Sequence, residues 1–441
     1  MKYILKNCTV FDGMPDSTEK EHADIYVSGE NIEKITYGES ESPEKGYKII
    51  DCSGKFVSPG LINMHAHLFG TGKPAKFLGG GVSQKAMMKI VSTYAGLTYL
   101  RNTALSAVKN ELYGGCTTVR SVGDFRFADV YARNKVKAGL AQGPRLIVSG
   151  PAITAENGHG DGTFAKTAYS AKEAEQFVEI NAEHNVDFIK ICITGGVMDA
   201  KVKGEPGMLR MDPQIAAAIC KKAHEMGFKV ASHTESEEGI DVAVRSGVDT
   251  IEHGSPLNDD RIKGIKANGS ALICTFSPAI PLSALPPELT RLDELCVYNS
   301  AVLTNKMISG VRTALENEIP VGLGTDASCP FVAQYAMWRE ICWFQMYTGV
   351  SNAFALSSAT YGNAKILGIN NITGSLSAGK CADMIITAED PLKDLSVLRD
   401  LDTVIASGKI YDKPVPDRIE HIDTNVDTLM HVINFNDFIT E

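Results

Sequence analysis

Apolar and polar positions change their spacing twice along the chain. In the first 57 residues, short alternating runs such as "YILKNCTVFDG" are separated by glycine, asparagine and aspartate, which predicts small antiparallel strands. From about residue 370 the same strand-like pattern returns, for example in "DTVIASGKIYD". The simplest arrangement pairs both chain ends, residues 1–57 and 370–441, in one small β domain.

The middle region, residues 58–369, alternates helical and strand-like segments. Apolar spacing predicts helices over residues 86–113, 170–185, 212–226 and 299–317. Eight apolar, β-branched runs predict strands, and most of them precede a helix: "FVSPGLINMHAH", "CTTVRSVGD", "PRLIVSG", "VDFIKICITGG", "FKVASHTES", "VDTIEHGS", "ALICTFSP" and "IPVGLGTDAS". Eight β/α units favour an α/β fold of the (β/α)₈ TIM-barrel type over an open doubly wound sheet.

Composition adds few further constraints. The chain is 44% hydrophobic and 22% charged, as in ordinary globular proteins, and its net charge of −10 argues against a nucleic acid or an anionic membrane as partner. No apolar run reaches 18 residues, and Lys6 interrupts the apolar N-terminus, so we expect no membrane span, no signal peptide and a cytoplasmic location. The ten cysteines lack CxxC pairs and are interpreted as buried apolar residues.

Histidine, lysine and aspartate recur where the predicted strands end. His65 and His67 end the first run and point to one side of a strand, because residues i and i+2 share a face. Later runs carry Lys190, His233, His253 and Asp326. Side chains at the C-terminal ends of barrel strands converge, and this nitrogen and oxygen set suits Zn²⁺ best, with Mn²⁺, Fe²⁺ or Co²⁺ also compatible. A solvated loop or a satisfied core site would also explain an isolated His-x-His pair.

Together these motifs resemble the amidohydrolase superfamily over nearly the whole chain. The similarity is carried by "GKFVSPGLINMHAH", "DFIKICITGG", "GVDTIEHG", "GLGTDAS" and "GSLSAGKCADMIITAEDPL". It implies a distorted (β/α)₈ barrel with a small β-sandwich built from both chain ends. Within the superfamily the chain is most similar to the prolidase-like and Xaa-Arg/Lys carboxypeptidase-like dipeptidases, and more distantly to imidazolonepropionase.

The resemblance implies a binuclear centre. His65 and His67 would bind one divalent ion with Asp326, and His233 and His253 would bind the other. Lys190 would be carboxylated by CO₂, and its carbamate would join the two ions. An ammonium group cannot bind a cation, whereas a carbamate offers two anionic oxygens, and nearby cations favour the neutral amine that captures CO₂. The alternative for Lys190 is a lysine that caps a strand end or pairs with an acid.

The implied reaction is hydrolysis of an amide by a metal-bridging hydroxide. Two divalent ions about 3.5–4 Å apart would acidify a shared water. Asp326 would accept the proton and pass it to the departing amine. A helix cap is an alternative role for this aspartate that does not exclude the first.

Substrate contacts are predicted at five further residues. His159, in "TAENGHGDG", lies where related dipeptidases place a substrate-contacting histidine, the alternative being an ordinary loop residue. Arg120 and Arg210 are candidates to bind a substrate carboxylate, or else form structural ion pairs. After His233 the chain departs from its relatives and reads "SHTESEEG", so Glu235 and Glu237 would either select a cationic substrate or be solvated loop charges.

The sequence therefore predicts a small-molecule hydrolase acting on a dipeptide or N-acyl amino acid, with two divalent ions, most simply Zn²⁺. A cyclic amide or lactam hydrolase shares the metal chemistry and stays open. A mononuclear deaminase is disfavoured because Ser236 stands where those enzymes carry glutamate and because Lys190 is present. The remaining alternative is a barrel that binds small molecules without catalysis, and the complete set of predicted metal ligands argues against it. Self-association into a homo-oligomer is compatible with the resemblance, but no interface is evident.

Overall fold

The computed structural model describes residues 2–38, 46–74 and 81–439. The strands are β1 (Lys2–Val10), β2 (Lys20–Ser28), β3 (Asn31–Tyr37), β4 (Lys48–Asp51), β5 (Phe56–Pro59), β6 (Leu61–Ala66), β7 (Cys116–Ser121), β8 (Arg145–Val148), β9 (Ala152–Thr154), β10 (Ala165–Thr167), β11 (Ile189–Cys192), β12 (Val230–Thr234), β13 (Thr250–His253), β14 (Ala271–Cys274), β15 (Val321–Leu323), β16 (Met384–Thr387), β17 (Thr403–Ala406) and β18 (Lys409–Asp412).

The helices alternate with strands over the middle of the chain. They are α1 (Gly81–Val91), α2 (Tyr94–Tyr113), α3 (Ala128–Lys137), α4 (Ala171–Glu183), α5 (Pro213–Glu225), α6 (Glu237–Ser246), α7 (Asp259–Asn268), α8 (Phe276–Ala284), α9 (Pro287–Thr290), α10 (Glu294–Glu316), α11 (Met337–Thr348), α12 (Asn352–Ser357), α13 (Asn363–Leu367) and α14 (Glu420–Val426).

Strands from both chain ends share one mixed sheet, in the order β18-β17-β16-β5-β1-β2-β3, with β4 also pairing with β1. β5 runs parallel to β1 and antiparallel to β16, so it joins the two ends. One face of this sheet forms a separate apolar core with residues such as Leu5, Ile25 and Ile405. The predicted pairing of the chain ends is therefore present as a sheet, and the prediction of a β-sandwich domain stays a prediction.

The middle of the chain forms two parallel sheets, which places the protein in the α/β class. One has the order β6-β7-β8, and the other β10-β9-β11-β12-β13-β14-β15. Every residue of β11 to β15 is buried. Near-continuous apolar runs are typical of parallel strands, because helices cover such a sheet. All parallel strands point their C-terminal ends the same way, and this edge carries the predicted site.

Most predicted helices are present, with one clear difference. The apolar spacing predicted one helix over 86–113, but the structure divides this range into α1 and α2. The hydroxyl of Thr93 accepts a hydrogen bond from the backbone N–H of Gly96 and so begins α2 as an N-cap. A Cβ at Gly96 would lie only 2.1 Å from the carbonyl oxygen of Ile90, so the close approach of the two helix ends requires glycine.

The C-terminal tail packs against the middle region, and the domain division of 1–57 plus 370–441 stays a prediction. The side chains of Ile422, Val426 and Phe435 belong to the main core and not to the core of the terminal sheet. Arg339 of α11 binds Asp423 at 2.7 Å, which fixes this tail against the helices of the middle region. Within the ranges that the structure describes, no helix is both long and apolar enough to cross a membrane.

Candidate metal centre

The six predicted ligands come together at the C-terminal edge of the parallel strands. The rings of His65 and His253 have centroids 4.9 Å apart, and those of His233 and His253 are 4.6 Å apart. Oδ1 of Asp326 lies 3.1 Å from Nε2 of His67 and 3.5 Å from Nε2 of His65. Asp326 follows β15, and a bridge between Ala66 and Ala327 holds its segment beside β6.

Two groups of donor atoms overlap in this cluster. Donor atoms of His65, His253 and Asp326 all lie within 4.8 Å of one another, and so do those of His233, Glu235 and His253. All five side chains are buried. Because nitrogen and oxygen donors converge from both groups, the cluster offers space and ligands for divalent metal ions.

Hydrogen bonds behind the rings define which nitrogen faces the cluster. Nδ1 of His67 is 2.7 Å from the carbonyl oxygen of Gly123, which can only accept, so this nitrogen carries the proton. Nδ1 of His65 is 2.6 Å from the carboxylate of Glu252, and the same argument applies. In the metal-binding, neutral form of the two rings, both Nε2 atoms present lone pairs toward Asp326. Three acceptors that face one another without a proton between them fit a bound cation.

Lys190 is the most unusual member of the cluster. It is 1% exposed, and its Nζ has no hydrogen-bond partner. Burial lowers the pKa of Lys190, which favours the neutral amine. A buried amine without a partner is destabilising unless something else satisfies it. This state fits the predicted conversion to a carbamate, and it does not fit the alternative of a lysine paired with an acid.

Burial also shifts the histidines. It lowers the pKa of His65 and His233 well below the ordinary range, and it lowers the pKa of His253 to about 3. These three rings are consequently neutral at pH 7, which is the form that binds a metal.

The backbone aims two of the ligands by an uncommon conformation. His253 and Asp326 have φ angles of 68° and 55°, in the left-handed region that non-glycine residues rarely adopt. Successive residues of a strand normally point to opposite faces. The turn at His253 lets both Glu252 and His253 contact His65. Such strain costs about 1–3 kcal/mol per residue and is typical of functional sites.

Arg120 lies beneath the cluster in a buried ion pair. Its guanidinium binds Glu252 at 2.7 and 2.8 Å, the hydroxyl of Thr250 at 2.9 Å and the carbonyl of Met64 at 2.6 Å. This is the structural ion pair that the sequence left open as the alternative to a substrate contact. Through Glu252 the pair orients His65, so Arg120 acts on the site through two other side chains.

His159 and Arg210 lie on loops above the cluster. The ring of His159 stacks on that of His233 with centroids 4.0 Å apart, and its Nδ1 is 2.9 Å from Asp199. A Cβ at Gly196 would lie 2.9 Å from this Nδ1, so the stack requires glycine there. Arg210 has a buried Nε without a hydrogen-bond partner beside the same loop. His159 therefore adjoins the cluster through its stack on His233, and Arg210 lies beside the same loop with an unpartnered Nε.

The two acidic residues after His233 have different surroundings. Glu237, the first residue of α6, is partly exposed and binds Arg261 at 2.9 Å, which is the behaviour of a surface charge. Glu235 is only 7% exposed and lies inside the cluster, so it is not a solvated charge. Its burial, with Asp326 and Asp199 nearby, raises the pKa of Glu235 well above the ordinary range.

Two residues of the site escaped the sequence reasoning. Glu252 precedes His253, and strict strand alternation would have pointed it away from the ligands. Asp199 ends a short 3₁₀ helix, Val197–Asp199, and carries no local signal. A search for carboxylates beside each strand-end histidine would have found Glu252, because such histidines usually donate their second N–H to an acceptor.

Parallel strands surrounded by helices, with histidines, a lysine and an aspartate at their C-terminal ends, define a hydrolase of the amidohydrolase class. Residues 56–411 match the model of the Amidohydrolase family, and the chain belongs to this family.

Its relatives include prolidases. A solved structure assigned as a prolidase, from Bifidobacterium longum, is 35% identical, covers 97% of this chain and 98% of its own, and has a TM-score of 0.85. A Xaa-Pro dipeptidase solved with bound methionine is 26% identical over 93% of this chain and 100% of its own, with a TM-score of 0.79. Imidazolonepropionase of Treponema denticola is 23% identical over 86% of this chain and 90% of its own. The predicted prolidase-like amidohydrolase is therefore confirmed, as a hydrolase acting on C–N bonds.

Proposed function

We propose that this protein hydrolyses an amide bond in a dipeptide or N-acyl amino acid and that it holds two divalent cations, most simply Zn²⁺. The observation that carries the proposal is the meeting of Nε2 of His65 and Nε2 of His67 with Oδ1 of Asp326, three lone-pair donors at 3.1–3.5 Å. The similarity to the prolidase and dipeptidase structures supports the choice of an amide between amino acids.

The ligands are assigned to two positions. His65, His67 and Asp326 would hold one ion, and His233 and His253 the other. Lys190, carboxylated on Nζ, would contribute to both, and its unpartnered Nζ supports this assignment. When bound, the ions would supply an acidified water and polarise the scissile carbonyl.

The protein's own residues perform the remaining tasks. The carboxylate of Asp326 takes a proton from the attacking water and gives it to the departing amine. Arg120 and Glu252 keep His65 oriented, with the proton held on its Nδ1. Arg210, with its free Nε, and His159 bind the carboxylate of the substrate, and the stack of His159 on His233 fixes the position of that contact.

We further propose that the two parallel sheets form one closed barrel. β8 and β9 would be a single interrupted strand, since β8 pairs with β7 and β9 pairs with β11. The hydrogen bond from the backbone N–H of His67 to the carbonyl of Ala327, at 3.0 Å, supports closure between β6 and the segment after β15. In this proposal residues 58–369 are the catalytic domain, with the helical tail packed on it.

A cyclic amide is the second candidate substrate, because imidazolonepropionase is among the relatives. Deamination is not favoured. The hydroxyl of Ser236, at the position where deaminases carry glutamate, accepts the N–H of Gly239 and caps α6. It is therefore occupied in a structural role.

A metal titration combined with a substrate screen tests the proposal. The metal-free protein should bind two equivalents of Zn²⁺ per chain by elemental analysis, and ¹³C NMR after addition of labelled bicarbonate should show a carbamate signal that Lys190→Met removes. The loaded enzyme should then hydrolyse linear amides in libraries of dipeptides, N-acyl amino acids and lactams. Activity restricted to lactams would replace the linear substrate with the cyclic one, and failure to bind metal would contradict the proposal.

A further inference from the structure

Glu235 is a buried carboxylate that the proposed chemistry does not use. Its Oε2 has no hydrogen-bond partner and is shielded from solvent. The backbone on both sides is fixed, since its N–H donates to the hydroxyl of Thr194 at 3.1 Å and the Ser236 side chain caps α6. A Cβ at Gly207 would lie 2.4 Å from the carbonyl carbon of Glu235, so a second loop packs directly on it. The free oxygen is thus held in place.

Glu235 lies beside the ring of His233, but not on the side of the nitrogen that would bind a metal. Its Oε1 is 3.9 Å from Nε2 of His233, but that nitrogen already faces the carbonyl of Gly195 at 3.2 Å. A carbonyl can only accept, so Nε2 carries the proton and Nδ1 is the metal-binding nitrogen of His233. Glu235 therefore approaches the edge of the ring opposite to the metal-binding nitrogen.

No fixed cation neutralises this carboxylate. Among the described residues no lysine or arginine forms an ion pair with Glu235, whereas Arg120 binds Glu252 and Arg261 binds Glu237 and Asp241. Lys190, as a carbamate in the proposed function, would add negative charge. An isolated buried carboxylate is strongly unfavourable unless a cation and hydrogen-bond donors reach it. The backbone N–H of Val197 already donates to the Glu235 side chain, whereas Oε2 has no partner, so a cationic group of the substrate would supply the missing charge and a donor to Oε2.

We propose that Glu235 binds the free α-ammonium group of the substrate, so that the enzyme acts on dipeptides with an unblocked amino end in preference to N-acyl amino acids. This inference rests on the proposed amide hydrolysis. The position of the carboxylate favours the α-ammonium, because Oε1 of Glu235 lies 3.9 Å from the ring of His233, and in the proposed function His233 would hold an ion that polarises the scissile carbonyl. The ammonium group of a lysine side chain in the substrate is several bonds farther from the scissile carbonyl than the α-ammonium. Arg210, on the neighbouring loop, provides the opposite charge for a carboxylate.

Alanyl and propionyl derivatives of the same leaving amino acid test this inference, since they differ only in the ammonium group. The wild-type enzyme should prefer the alanyl compound by about 100-fold in kcat/KM, which corresponds to one charged hydrogen-bonding contact of roughly 3 kcal/mol. In Glu235→Gln this ratio should fall to within about threefold of one. Glu237→Gln removes the same charge two residues away on a partly exposed side chain, and it should keep the wild-type ratio.

The two reaction products give a readout that does not need turnover. Calorimetry on the metal-loaded protein should show tighter binding of alanine than of propionate, and Glu235→Gln should abolish the difference. Elemental analysis of the variant should still find the full metal content. Equal binding of both products by the wild type would overturn the inference, even if amides are hydrolysed. Loss of one metal equivalent in Glu235→Gln would instead identify Glu235 as a metal ligand, and it would also overturn the inference.

Discussion

The polar residues of this site form two layers with opposite hydrogen-bonding states. In the inner layer, Arg120, Thr250 and Glu252 satisfy one another through four hydrogen bonds of 2.6–2.9 Å. In the outer layer, which faces the candidate metal centre, atoms of Lys190 and Glu235 are equally buried but have no partner. The inner layer comes from β7 and β13, and the outer layer comes from β11 and the residue that follows β12.

The difference separates a structural role from a functional one. A buried polar atom without a partner costs about 1–3 kcal/mol, so a site retains such atoms only where a ligand satisfies them. The inner layer needs no ligand and determines the orientation of His65. In the proposed function, ions and substrate would complete the outer layer. Substitutions in the inner layer should consequently reduce stability, whereas substitutions in the outer layer should reduce activity.

The largest expected effect is the loss of activity in Lys190→Met. We expect a decrease of at least about 10³-fold in kcat/KM, because the removed interaction contributes several kcal/mol to the reaction. The free energy of unfolding of the metal-free protein should not fall, since methionine replaces a buried amine without a partner. Urea denaturation and steady-state kinetics check both parts. Lys229→Met, on an exposed side chain before β12, is the control and should leave both values near wild type.

In the inner layer, Arg120→Met should reduce the free energy of unfolding by about 3–5 kcal/mol. The substitution leaves Glu252 buried and charged without its partner. The double variant Arg120→Met/Glu252→Leu should recover most of the loss, because an apolar pair replaces the ion pair, although activity should stay low since His65 loses its acceptor. Urea denaturation of the metal-free forms measures this cycle. Equal destabilisation of the single and double variants would contradict the assigned role of the ion pair.

The pH dependence of stability should reveal the buried histidines. In the folded metal-free protein the pKa of His253 is about 3, below the unfolded value near 6.5, so the unfolded state binds more protons between these values. Stability is fully present above pH 6.5 and should fall as pH decreases toward 3, by up to about 1.4 kcal/mol per pH unit for each such histidine. His253→Asn should flatten the slope in urea titrations, whereas His421→Asn, on the surface, should not.

The smallest effect is expected from Gly207→Ala. The new Cβ would lie 2.4 Å from the backbone of Glu235, so the loop or Glu235 must shift by a fraction of an ångström. We expect the preference for the alanyl over the propionyl substrate to decrease by about threefold to tenfold, equivalent to roughly 1 kcal/mol. Gly362→Ala, where the nearest atom would be 3.4 Å away, is the matched control. An unchanged preference in Gly207→Ala would show that this loop does not position Glu235.

Strand-end histidines were predictable because their signal is local. The sequence has His-x-His at the end of one apolar run and single histidines at the end of two others. These local patterns indicate both the ligand residue and its position on a parallel strand. The predicted start of α10 was less accurate. Apolar spacing placed it at residue 299, but Asp293 caps the helix, which begins at Glu294.

Contacts between distant segments were not predictable in the same way. Arg120 and Glu252 are 132 positions apart, and only the register of the strands between them brings the two side chains together. His159 meets Asp199 through two loops whose paths no periodicity encodes. The same reason explains the burial of Glu235: its acidic neighbours suggested a solvated segment, whereas the packing of Gly207 on its backbone encloses it.

The position of β5 has a consequence for biosynthesis. β5 lies one residue before β6, the strand that presents His65, and it pairs with β16, which the ribosome makes more than 300 residues later. A nascent chain that ends before Met384 therefore leaves an edge of β5 open beside the histidine pair. The first ligand strand therefore depends on residues that are made long after it, and a product that terminates before Met384 lacks the last support of that strand.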